Sequence, residues 1–232
     1  MRSRLSVICK SSAVLLAFLG IILSLIQAEE HGYSHAGKRL LYFTAQSNIW
    51  ILLLFALLLI LPFCKTYTQN KRLDYVLYSL KFVFTVSITI TAFIFCVVLA
   101  PGAKEANYDA FSLSSILTHM AVPVLAVVDL FLDPHKITLN KHHLLYTIIP
   151  PLLYCVFASI LGAFHVDFGR GDTYPYFFLN YKSPAGFFGF SREMPYIIGS
   201  FYWILVILGM ILGIGALYKH FCQKHSPSAQ VE

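Results

Sequence analysis

The sequence predicts an all-α protein, a polytopic bundle of about six transmembrane helices with both termini cytoplasmic, forming one integral membrane domain over residues 1–232. Three observations carry this reading. Apolar residues make up 58% of the chain and charged residues only 12%, where a soluble domain has about 25% charged. Mean hydropathy is +0.71. The apolar residues gather in six runs, at 12–27, 40–62, 82–100, 111–132, 144–164 and 196–218, most of them close to the roughly 20 residues a helix needs to cross a bilayer.

The first run follows a basic MRSRLSVICK and precedes QAEE, a layout that a cleaved signal peptide shares. Ile26 occupies the −3 position of such a cleavage site, where a small residue is usual, so a retained helix is expected. In the second run, LLYFTAQSNIW places Thr44, Ser47 and Asn48 at i, i+3 and i+4, a polar stripe on one helix face. The third and fifth runs contain no charged residue. The sixth holds Gly209 and Gly213 in a G-x-x-x-G, read as close packing within the bundle.

The fourth run contains the most conspicuous intramembrane groups, His119 and Asp129. Ten residues of helix separate them by about 15 Å, so Asp129 cannot orient the imidazole directly; its expected role is structural. Pro123 lacks the N–H that would bond the carbonyl of residue 119 in α-helical spacing, which predicts a kink and a free acceptor there. By themselves His119 and the polar stripe read better as groups that bond neighbouring helices than as a catalytic pair.

Orientation follows from Lys and Arg near the span ends. With the N-terminus inside, eleven basic residues are cytoplasmic, Lys10 and Lys81 among them, against six outside. The formal charge of +6 is spread over short loops without a basic stripe, which excludes a nucleic-acid surface and fits anionic lipid. Five cysteines, Cys9, Cys64, Cys96, Cys155 and Cys222, show no C-x-x-C spacing. Neither a disulfide framework nor a metal site is expected. Phosphate-loop, zinc-protease and nucleophile-elbow motifs are absent, and no cofactor is expected. The segment 165–195 is the one connection with room for structure of its own. Dense in aromatic residues from Phe168 to Phe190, it reads as a belt at headgroup level, with a lid over the Thr44/His119 face as the alternative.

YFTAQSN in the second run, LTHMAVPVLAVVD in the fourth and TYPYFFLN before the sixth resemble a group of bacterial six-span membrane proteins of undefined function. More distantly, they are similar to the eukaryotic family of the androgen-induced protein and the androgen-dependent regulator of tissue factor pathway inhibitor. Those relatives are membrane threonine hydrolases that cleave fatty acid esters of hydroxy fatty acids. The resemblance covers roughly residues 40–203, supports six spans, and implies Thr44 as nucleophile and His119 as base.

Two functions are therefore expected. The first is hydrolysis of a lipid-like acyl ester by a Thr44/His119 dyad, with Asn48 as an oxyanion donor and Ser47 or Thr118 holding the second imidazole nitrogen. The second is non-catalytic binding or transport of a small or lipidic ligand. Membrane lipids are the expected surroundings, in the plasma membrane if the host is bacterial.

Overall fold

The computed structural model describes residues 4–63, 71–101, 109–132, 138–169 and 171–224. Arg2, Cys64, Lys65, Lys104, Lys136 and Arg170 lie outside them. Helix α1 spans Arg4–Ile26, and a 3-10 turn at Ala36–Leu41 leads into α2, Phe43–Ile60. Helix α3, Lys71–Ile94, ends in a π turn at Phe95–Leu99. The fourth span is composite: α4, Leu113–Ile116, then a π turn at Leu117–Ala121, then α5, Val122–Leu132. The fifth comprises α6, Lys141–Tyr146, and α7, Ile149–Ala163, which restarts on two prolines whose missing N–H groups cost nothing in a first helical turn. Helix α8 is Ser200–Lys224.

Six of these spans are long and apolar enough to cross a membrane, and among the described residues there is no strand. The protein is an integral, multi-pass membrane protein. Large apolar side chains such as Leu15, Leu53, Leu153 and Val206 point outward, a surface that only lipid solvates well.

The span limits differ from those expected. Helix α1 begins at Arg4 rather than at residue 12, and α3 at Lys71 rather than at 82. Both shifts have one cause. Lys10 and Lys81, read from the sequence as charges flanking the membrane, are inside the bundle at 2% and 1% exposure. Asp129, fully buried, makes this tolerable: Nζ of Lys10 lies 2.7 Å and Nζ of Lys81 2.6 Å from its carboxylate oxygens. The Ser6 hydroxyl donates to the same carboxylate at 2.6 Å, and Lys81 also donates to the Asp129 carbonyl at 3.1 Å. Asp129 thus ties α1 and α3 to α5. Taking the two lysines out of the flanking count leaves nine basic residues against six.

Helix α1 packs on α2 and α5, while α3 touches α2, α5 and α8. The α1 seam is made of small residues: Ala13 and Ala17 are fully buried against Ile51, Phe55, Val122 and Ala126. A methyl group added at Gly20 would sit 2.8 Å from Cγ2 of Thr118. The G-x-x-x-G of α8 does not serve this purpose, since Gly209 and Gly213 have nothing within 4 Å of a Cβ position. Close packing needs a small residue opposite another element, and these two glycines face away from the bundle. A second core joins α3, α7 and α8 to the 165–199 segment through Phe82, Tyr154, Phe168, Phe178 and Ile211.

Candidate active site

The C-terminal end of α1, the start of α2, the end of the third span and the start of the fourth lie at the bundle end opposite the Asp129 cluster. A cavity of about 380 Å³ opens there, within the usual size range of small-molecule sites. Thr44 and His119 both line it.

His119 sits in the π turn of the fourth span. The Val122 N–H bonds the Leu117 carbonyl five residues back, and in that register the N–H missing at Pro123 deprives the carbonyl of Thr118, not that of His119 as α-helical spacing predicted. Asn48 fills the vacancy, donating from Nδ2 to the Thr118 carbonyl at 3.0 Å. The imidazole is buried, with Nδ1 at 3.0 Å from the Ser115 carbonyl and 3.2 Å from the Thr118 hydroxyl oxygen. That hydroxyl itself donates to the Ser114 carbonyl at 2.8 Å. Acceptors on this side assign the ring proton to Nδ1 and leave the lone pair on Nε2. Phe95 stacks on the ring, with centroids 3.8 Å apart and planes 18° from parallel. Phe95 opens the other π turn, so the two breaks in helical register meet at the histidine, as such breaks often do at functional sites.

Thr44 is the second residue of α2. Tyr42, the preceding cap residue, supplies no side-chain cap. The Tyr176 hydroxyl, from the long loop, lies instead against the backbone N–H groups of Phe43 and Thr44 and the Thr44 hydroxyl. Burial pushes the Tyr176 phenol up to about 12, against the lowering effect of these contacts. The Thr44 hydroxyl is therefore engaged by Tyr176, and the polar partners of the His119 ring are both at Nδ1. The two residues share a cavity wall without a direct hydrogen bond.

The supporting residues take other roles than expected. The Ser47 hydroxyl bonds the Thr44 carbonyl and the Thr91 hydroxyl, each at 3.1 Å, bracing α2 on α3; it does not hold His119. Asn48 spends its amide hydrogens on the Thr44 carbonyl at 2.8 Å and on that of Thr118. An amide so occupied has no donor for an oxyanion. Thr118 does reach the imidazole, alongside Ser115, which the sequence did not single out.

The aromatic segment is split between two jobs. Phe168, Tyr176 and Phe178 turn into the bundle, and residues from Asp172 to Phe177 cover the cavity, whereas Phe188 and Phe190 remain exposed. A belt at headgroup level describes only the outer half, because the inner aromatics find partners in Tyr42, Tyr154 and Trp203. The loop is anchored at Asp167, which accepts from the N–H groups of Gly169 and Gly171 at 2.7 and 2.9 Å and from the Ser34 hydroxyl at 3.2 Å. These bonds, the Gly169 one foremost, hold its carboxyl below the usual carboxylate range. Gly169 adopts φ +132°, and a Cβ there would collide with the Tyr33 ring.

Among the described residues no group of three or more His, Cys, Asp or Glu side chains could hold a metal ion. Sequence reasoning missed Tyr176, Ser115, Phe95 and Arg39 as cavity residues. TYPYFFLN signalled Tyr176 only as part of an aromatic run, and nothing local brings Phe95 to His119. Comparison with protein-family models, curated proteins and solved structures produced no match.

Proposed function

We propose that the protein is a membrane-embedded hydrolase of lipid-like acyl esters, with Thr44 as nucleophile and His119 as general base. The observation that carries this reading is the shared wall: a hydroxyl at the first turn of α2 and a histidine with its lone pair on Nε2 border one largely apolar cavity. An ester carbonyl admitted between them receives Thr44 Oγ1 as Nε2 takes the hydroxyl proton. The leaving alcohol takes that proton from His119, giving an acyl-threonine, and water repeats the sequence to release the acid. The Tyr176 O–H stands beside Thr44 and supplies, in place of Asn48, a donor for the oxyanion. The resemblance of FTAQSN and THMAVP to the threonine hydrolases supports the same pair. With both termini cytoplasmic, the cavity opens toward the outer leaflet.

A second reading, non-catalytic binding of a lipidic ligand, is favoured by one observation: the Thr44 hydroxyl is engaged by Tyr176 and not by His119. Hydrolysis of a fatty acid ester of a hydroxy fatty acid by purified protein, with Thr44→Ala, Thr44→Ser and His119→Ala alongside, separates the two. The hydrolase reading expects loss of at least about 100-fold in both alanine variants and partial retention in Thr44→Ser. Equal rates in all four proteins leave the binding reading in its place. Cysteine accessibility at Ser183 tests the orientation, with labelling only from the cytoplasmic side reversing it.

A further inference from the structure

Lys38 and Arg39 are adjacent, and both count as simple flanking charges in the sequence. The structure separates them. Lys38 Nζ donates to the Asp167 carbonyl and fastens the loop. Arg39 turns to the cavity and lines it beside Thr44 and His119. Its Nε donates to the Ser24 hydroxyl at 2.9 Å and its Nη1 to the Tyr33 hydroxyl at 3.1 Å, while the guanidinium carbon lies 4.8 Å from the centre of the Tyr33 ring.

These partners are neutral. Among the described residues no carboxylate forms an ion pair with Arg39. Asp172, the one acid on the cavity wall, lies near the side chain of Tyr174. A guanidinium has five N–H donors, and two neutral hydroxyls use only part of that capacity. The ring and hydroxyls fix the orientation of the group, which lowers the entropy lost when an anion docks. Much of the remaining wall is apolar, through Ile21, Leu25, Leu40, Phe95, Leu99 and Phe177. A half-buried cation without an ion-paired carboxylate at one point of a largely apolar cavity matches a molecule with one acidic group and a hydrocarbon chain.

We propose that Arg39 is the anion subsite of this cavity, receiving the carboxylate or phosphate headgroup of a single-chain amphiphile whose tail lies along the apolar wall. The fork geometry of Arg suits both oxyanions, each accepting two parallel N–H bonds. The subsite goes beyond the hydrolytic reading and stands without it, since it concerns binding only.

The test is equilibrium binding to full-length protein carrying Thr44→Ala, so that turnover is removed, in nanodiscs of phosphatidylcholine. Radiolabelled oleate, methyl oleate, oleoyl lysophosphatidate and monooleoylglycerol are compared. At least one acid is expected to bind tenfold or more tightly than the neutral ligand of the same chain. Preference for oleate alone identifies a free fatty carboxylate and preference for the lysophosphatidate alone a phosphate headgroup; either supports the subsite. Arg39→Gln should reduce the margin to within twofold without weakening the neutral ligand, and Arg39→Lys should keep part of it. Equal binding of acids and neutral ligands, or an undiminished preference in Arg39→Gln, overturns the proposal. Should Arg39→Gln not fold, phenylglyoxal modification of Arg39 in protein with the native arginine reads the same contact. Protection by the preferred acid but not by its neutral partner is expected, and no protection by any acid overturns the proposal.

Discussion

Asp129→Asn is the sharpest perturbation of the bundle because it keeps the shape of the side chain and removes only its charge. The carboxylate lies within 2.7 Å of two buried ammonium groups. At an effective dielectric constant near 20, each attraction amounts to about 6 kcal/mol before desolvation is counted. Measured losses on breaking a buried pair, after relaxation, are about 3–5 kcal/mol, and that is the expected destabilisation. For a chain of this size each kcal/mol moves a melting temperature by about 2–4 °C, so scanning fluorimetry of detergent-purified protein should show a fall of about 10 °C. Lys81→Met leaves Asp129 with Lys10 and Ser6 and should cost less than half as much. Because the cluster is buried, the difference should persist from low to high salt. An Asn variant melting within about 2 °C of the unsubstituted protein would refute the argument that this cluster joins α1, α3 and α5. A folded Asn variant that had lost all hydrolysis would contradict the structural role itself.

Gly20→Leu should drive α1 and the fourth span apart, because even a methyl group would crowd Thr118; a loss of about 1–3 kcal/mol is expected from overpacking, read in the same melting assay, with ligand binding falling alongside. Tyr176→Phe removes a hydroxyl from Thr44 and the start of α2; if it stabilises the oxyanion, kcat should drop about 100-fold with KM nearly unchanged, whereas a faster variant would make Tyr176 a gate. The loop anchored by Asp167 should loosen in acid: its carboxyl is held below the unfolded value near 4, so the contribution is complete above that pH and lost as pH falls through the lower folded value. Hydrogen exchange over 165–172 should rise across that window, and Asp167→Asn should flatten the response.

The sequence by itself determined the all-α class and the six spans, because uninterrupted apolar runs of about 20 residues have no stable home but lipid and no stable form there but the helix. It also marked Thr44 and His119 as polar groups that had to be housed, which follows from the cost of leaving them in hydrocarbon. Span limits at α1 and α3 were not legible, since a lysine reads as a boundary until a partner is known, and the partner of Lys10 lies 119 residues away in α5. The roles of Ser47, Asn48 and Pro123 were misread for a related reason. Local spacing assumed an unbroken α register, and the π turn at Leu117–Ala121 moved the vacant carbonyl by one residue, where only α2 could fill it. Only the tertiary structure brought Phe95 onto the imidazole, Tyr176 onto Thr44 and Arg39 into the cavity, because a cavity wall is assembled from elements far apart in the chain, and periodicity along one helix carries no record of what faces it.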